Sequence, residues 1–164
     1  MFGEENQSVK MPCVLDHIAI AVEDLDKAIE TYTKGFGLSV VDRRCTTGNS
    51  TGMVSAVLIG AGVPIVLLQG TDPDSQVTRF VRERGAGVQH LAFAVSDIDA
   101  GIDQFAQLGS RPAFPPVIGE GIRQVFLEKD GSGPRVELIE RQGGDFNDDS
   151  VRALFLAMEE RELL

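Results

Sequence analysis

The chain carries one sequence motif twice. LDHIAIAVEDLD occupies residues 15–26 and VQHLAFAVSDID occupies residues 88–99, so the two copies align without a gap at an offset of 73 residues (88 minus 15). The alignment superposes His17 on His90, and the chain has no other histidine. A chain that carries one unit twice is expected to fold as two similar modules that share an interior.

The same order of predicted elements follows each copy. Apolar residues recur at helical spacing after Asp24 and Asp97, which are natural N-caps, and Gly35 and Gly109 are expected to end the two helices. Strand-like runs come next, at 38–43, 53–60 and 63–69 in the first copy and at 111–114, 123–129 and 135–141 in the second. The pattern predicts an α+β fold of two βαβββ modules, at 13–70 and 86–141, in one domain spanning 13–141.

The two ends of the chain lie outside this repeat. Residues 1–12 carry acids and lack an apolar run, so they are expected to be a flexible N-terminal tail and not a signal peptide. Near the other end, Leu154, Phe155 and Met158 recur at helical spacing, which predicts a C-terminal helix within 142–164.

Composition excludes several classes of function. The net charge of −10 argues against binding to nucleic acid or to an anionic membrane. The sequence has no apolar run long enough for a transmembrane helix. Cys13 and Cys45 have neither metal-type spacing nor a disulfide framework, which favours a reducing, cytoplasmic setting.

The paired histidines predict a metal site. A single histidine in an apolar strand is more often a core residue than a ligand, but two at equivalent positions favour ligation. Aligning PIVLLQG with RVELIER places Val66 opposite Glu137, which lies inside an apolar strand where an unpaired carboxylate is costly. We therefore expect His17, His90 and Glu137 to bind one metal ion.

The number of ligands bears on the chemistry. Val66 cannot bind a metal, so the repeat supplies three ligands, and two histidines with one carboxylate are typical of non-haem Fe(II) oxygenases. Four ligands would suit Lewis-acid chemistry instead. Gln69 would add a fourth ligand if the strand parity were shifted by one residue, whereas Glu140 is expected to be a solvated strand end.

The repeated strands, their AV-x-D-[IL]-D continuations and the VELIE strand resemble the vicinal oxygen chelate superfamily over residues 14–141. That superfamily includes glyoxalases, methylmalonyl-CoA epimerases, extradiol dioxygenases and resistance proteins. The resemblance implies that the two modules pair into a half-open eight-stranded barrel around one metal.

Three segments are similar to the catalytic half of 4-hydroxyphenylpyruvate dioxygenase and 4-hydroxymandelate synthase: FVRERGAGVQHLAF, RQVFLEKDGSGPRVELIER and FNDDSVRALFLAMEERE. This likeness implies that residues 142–164 form a gating helix. It also implies iron ligands at His17, His90 and Glu137, polar substrate contacts from Ser55 and Gln124, and pocket walls from Phe126 and Phe146. Those dioxygenases contain four modules and a Pro-Leu-Asn-Glu run where this chain has Val-Leu-Leu-Gln at 66–69, which puts 4-hydroxyphenylpyruvate itself in doubt.

The leading functional hypothesis is a non-haem Fe(II)-dependent dioxygenase that uses O₂ and acts on an α-keto acid or a related chelating small molecule. One alternative is an epimerase or isomerase of the methylmalonyl-CoA epimerase type, with Co, Mn or Zn as a Lewis acid. A second is a protein that binds a small molecule, as resistance proteins do. Exposed sheet edges also favour a homodimer.

Overall fold

The computed structural model describes residues 11–163, so residues 1–10 of the predicted tail lie outside the described part. The strands are β1 (Cys13–Ala21), β2 (Ser39–Thr47), β3 (Gly52–Ile59), β4 (Ile65–Gly70), β5 (Gly87–Val95), β6 (Val117–Gly119), β7 (Ile122–Phe126) and β8 (Arg135–Arg141). The helices are α1 (Leu25–Glu30), with a π-helical extension at Thr31–Gly35, α2 (Gln76–Arg84), α3 (Ile98–Gln107) and α4 (Asp148–Glu160). None of these helices is long and apolar enough to cross a membrane.

The eight strands form one mixed sheet in the order β2-β3-β4-β1-β5-β8-β7-β6. β1 lies parallel to β4, with Ala19 beside Val66, and β5 lies parallel to β8, with Ala92 beside Glu137. The two modules join where β1 and β5 pair antiparallel. The sheet confirms the predicted half-open barrel of two βαβββ modules. It also makes Val66 the counterpart of Glu137, because Ala19 and Ala92 are equivalent in the repeat.

The ends of α1 and α3 follow from their flanking residues. The Oδ1 atoms of Asp24 and Asp97 each accept a hydrogen bond of 3.0 Å from a backbone N–H three residues later, which confirms both N-caps. Gly109, with φ of 84°, follows α3 as expected. In the first module the helix continues as the π-helical turn, so the residue in the left-handed conformation is Gly37 and not Gly35.

Two parts of the second half differ from the sequence-based expectation. The strand predicted at 111–114 is wrong, since Pro112 makes an isolated bridge with Leu127 and the strand begins instead at β6. Proline has no N–H to donate, so a segment with prolines at 112, 115 and 116 cannot build a regular ladder. Helix α2, between the modules, was not predicted.

Helix α4 packs across the open side of the barrel in cis. It packs against β2 at one edge of the sheet and against β6 and β7 at the other. Arg44 on β2 holds its beginning, donating to the Asp148 carboxylate at 2.7 Å and to the Phe146 carbonyl at 3.2 Å. Glu159 holds its end, since its carboxylate accepts from the backbone N–H groups of residues 49–51 at 2.7–3.1 Å.

The last strand of each module stabilises the helix of that module. Gln69 Oε1 accepts from the N–H of Leu25 at 2.7 Å, and Glu140 Oε2 accepts from the N–H of Ile98 at 2.7 Å. The expectation that Glu140 is solvated is therefore wrong, because it is only 6% exposed. The Gln69 side chain points to one face of the sheet and the Val66 side chain to the other. The Gln69 amide therefore contacts a helix and not the histidines.

Replacing Glu140 with alanine should lower the free energy of unfolding by about 1–3 kcal/mol, because the buried N–H of Ile98 loses its acceptor. Urea denaturation followed by circular dichroism measures the change. Glu160→Ala is the control, since Glu160 is exposed on α4 and its removal should leave stability almost unchanged. Equal stabilities for the two variants would contradict this role for Glu140.

Candidate metal centre

Two histidines and one glutamate meet inside the barrel. The Nε2 atoms of His17 and His90 are 3.2 Å apart, and Glu137 Oε2 lies 3.2 Å from His90 Nε2 and 3.6 Å from His17 Nε2. All three side chains are buried, and their potential ligand atoms lie within 4.8 Å of one another. The structure thus brings together the three residues that the repeat predicted as ligands.

Two irregularities in the β1–β5 ladder aim these histidines. Leu15 pairs with Phe93 and His17 with Ala92, so Asp16 is an extra residue in β1. Gln89 is likewise extra in β5, where the register shifts between His90 and Val88. A β-bulge redirects a side chain that would otherwise alternate across the sheet. In each strand the extra residue immediately precedes the histidine and contacts it.

The extra residues orient both imidazoles. Asp16 Oδ1 lies 2.9 Å from Nδ1 of His17, and Gln89 Oε1 contacts Nδ1 of His90. Because both oxygens accept, each Nδ1 carries the hydrogen and each Nε2 presents a lone pair to the centre. This contact between neighbouring residues was not predicted, since it depends on the bulges.

Asp16 is anchored as a carboxylate. Arg141 donates to it from Nε and Nη2, each at 3.0 Å. Burial alone would raise the pKa of Asp16, but hydrogen bonds from His17 and Arg141 outweigh burial and lower the pKa to about 2. Asp16 is therefore ionised at neutral pH and can only accept.

Three buried acceptors face one another at this centre. Neither carboxyl oxygen of Glu137 has a hydrogen-bond partner among the described residues. Burial raises the pKa of Glu137 to about 7, while burial and then the charge of Arg135 lower the pKa of His90 to about 3. A divalent cation would satisfy all three acceptors at once, so the donor set fits a metal ion.

A cavity of about 100 Å³ adjoins the three residues. Ser55, Phe126 and Phe146, predicted to face the substrate, all lie in its wall. Phe126 packs edge-on against His90 and Phe146 against His17, with ring centroids 4.9 and 5.6 Å apart. Most of the remaining wall is apolar and comes from the sheet, from α2 and from one face of α4, namely Met53, Val57, Val66, Leu68, Val77, Val151, Leu154, Phe155 and Met158.

Gln124 shares the strand face of Phe126 and is fully buried, but it is not part of the cavity wall. Its amide atoms have no hydrogen-bond partner in the described part of the chain. Gln76, which was not predicted, does line the cavity from the first turn of α2, and its Nε2 has no partner between residues 11 and 163. Asp42 and Arg44 also line the cavity, joined by an ion pair of 2.6 Å.

Comparison with known proteins agrees with this architecture. The sequence-family model of the glyoxalase/bleomycin resistance protein/dioxygenase superfamily matches residues 16–126. The chain therefore belongs to that superfamily. It is 30% identical over 129 residues to an ethylmalonyl-CoA/methylmalonyl-CoA epimerase of Cereibacter sphaeroides, covering 76% of this chain and 95% of the relative.

Two solved structures illustrate the similarity of this fold to known proteins. Methylmalonyl-CoA epimerase from Mycobacterium tuberculosis has a TM-score of 0.66 and 35% identity, covering 77% of this chain and 87% of the epimerase. A triple mutant of 4-hydroxymandelate synthase from Streptomyces coelicolor has a TM-score of 0.79 and 22% identity, covering 90% of this chain and 54% of the synthase. At that identity the second likeness shows the fold alone.

Replacing Glu137 with alanine should abolish stabilisation by added metal without destabilising the metal-free protein. The carboxyl makes no hydrogen bond that would be lost, and a ligand stabilises only the state that binds it. Thermal unfolding with and without Mn(II) or Co(II) measures both effects, with Glu160→Ala as the matched control. A metal-induced rise in Tm that survives in Glu137→Ala would contradict the assignment of this ligand.

Proposed function

We propose that this protein is a non-haem Fe(II)-dependent dioxygenase that acts on a small α-keto acid or a related chelating molecule. The observation that carries the proposal is the ligand set. His17, His90 and Glu137 converge, while the pseudo-symmetric counterpart of Glu137 is Val66, which cannot bind a metal. Two histidines and one carboxylate with open positions are typical of Fe(II) oxygenases.

The open positions are the functional consequence of Val66. Fe(II) held by these three residues would supply a chelation point for a keto acid and activate O₂. The Val66 side chain lies in the cavity wall, so it keeps the space beside the three ligands apolar. Substrate and O₂ would bind in this space.

The cavity supports a compact, largely apolar substrate. Phe126 and Phe146 flank the two histidines, and Ser55 and Gln76 offer polar groups within the apolar wall. Helix α4 lines one side of the cavity, and a cavity shielded from water protects reactive species from side reactions. In this role α4 is a gate that must move to admit substrate.

The direct test is oxygen consumption. The protein should be purified anaerobically, loaded with Fe(II) and mixed with a panel of α-keto acids while O₂ uptake and CO₂ release are recorded. We expect at least one keto acid to give equal uptake and release. Glu137→Ala is the control for uncatalysed oxidation by free Fe(II). The absence of uptake with every keto acid would contradict the proposal.

A metal-dependent epimerase is the second candidate, favoured by the relatives of 30–35% identity that bear that name. Such a reaction needs a base to remove an α-proton. Apart from Glu137, the carboxylate that lines the cavity is Asp42, which is paired with Arg44. With Co, Mn or Zn bound, exchange of substrate protons in D₂O without O₂ consumption would favour this candidate. A native protein without stoichiometric metal would instead favour a small-molecule binding protein.

The variant Val66→Glu separates these chemistries. It places a carboxylate opposite Glu137 and restores a fourth ligand, so metal should remain bound while the positions available to O₂ decrease. We expect metal content to be unchanged and O₂ uptake to fall at least about tenfold, since substrate and O₂ then compete for one fewer position. Val66→Gln, uncharged and of similar size, is the companion variant. Full O₂ uptake by Val66→Glu would refute the three-ligand interpretation.

A further inference from the structure

We propose that Asp16 is a positioning residue for the metal ligand His17 and that its charge, held by Arg141, strengthens His17 as a donor. The inference rests on the proposed metal site. It concerns a feature that the two modules do not share, because the extra residue in β1 is an aspartate whereas the extra residue in β5 is the neutral Gln89.

The geometry supports a charge-assisted contact at His17. Asp16 Oδ1 lies 2.9 Å from His17 Nδ1, and the same carboxylate accepts two hydrogen bonds from Arg141. A carboxylate behind a ligand histidine fixes its tautomer and raises the basicity of the other nitrogen. At His90 the partner oxygen belongs to an amide, which orients the ring but contributes no charge.

Arg141 connects this contact to the segment that immediately precedes α4. Its guanidinium donates to Asp145 at 2.8 Å and lies 4.7 Å from the ring centroid of Phe146. The Phe146 ring in turn packs edge-on against His17. His17 is therefore held between Asp16 and Phe146, and Arg141 contacts both of these residues.

The test compares Asp16→Asn with Asp145→Asn. Both substitutions remove a carboxylate that Arg141 contacts, but the Asp145 side chain is 88% exposed and does not contact His17. Each protein is titrated with Co(II), and the Kd and the visible d–d absorption are recorded. We expect Asp16→Asn to weaken binding by about tenfold to a hundredfold and to shift the d–d bands. Asp145→Asn should resemble the original protein.

A second measurement needs no metal. Nitrogen-15 NMR of the histidines reports which ring nitrogen carries the hydrogen. In the metal-free protein His17 should be the Nδ1–H tautomer, and Asp16→Asn should reduce that population while leaving His90 unchanged. A mere loss of packing would lower Co(II) occupancy without shifting its bands or the tautomer.

The outcomes separate the two proposals. If the original protein fails to bind Co(II), the metal site of the proposed function is refuted, and this inference with it. If the original protein binds Co(II) and Asp16→Asn binds it equally well with the same bands, the role of Asp16 alone is refuted.

Discussion

The antiparallel pairing of β1 with β5 is the contact on which the site depends. It joins the two modules, and each of its two strands carries one histidine directly after a bulged residue. Without the bulges, Asp16 and Gln89 would alternate to the opposite face from the histidines and could not hydrogen-bond them. One irregular ladder thus brings the two proposed histidine ligands together and also sets their tautomers.

Duplication accounts for the fold, while differences between the copies account for the chemistry. On the outer face both modules make the same hydrogen bond. Gln69 and Glu140 each accept from the first backbone N–H of the helix in their own module, α1 or α3. On the inner face the equivalent pair is Val66 and Glu137, and only one of the two can bind a metal. A structural role tolerates an amide or a carboxylate, because both accept hydrogen bonds. For metal binding valine and glutamate are not equivalent, because only the carboxylate offers a ligand atom.

Much of this could be predicted, because the repeat aligns residues that are far apart in the chain. The alignment by itself predicts that His17, His90 and Glu137 lie together. The positioning role of Asp16 was hidden, since a bulge leaves no mark on the hydrophobic pattern. Glu140 lies on the predicted face of the sheet, but it is buried there and not solvated. The alternation of side chains along a strand shows which face a residue is on, but it does not show that a helix covers that face. Helix α2 did have a signal, since Val77, Phe80 and Val81 recur at helical spacing before Gly85.

The position of α4 bears on the choice between the two enzyme candidates. An epimerase acting on a CoA ester needs an opening wide enough for the carrier to remain outside while the acyl group reacts. Here α4 spans from β2 to β6 and is tied down at both ends, by Arg44 and by the backbone N–H groups that hold Glu159. A compact substrate can be enclosed behind such a helix, whereas a long one would hold it open. Because α4 narrows the opening from both edges of the sheet, it favours the compact substrate that we propose for the dioxygenase over a long CoA ester.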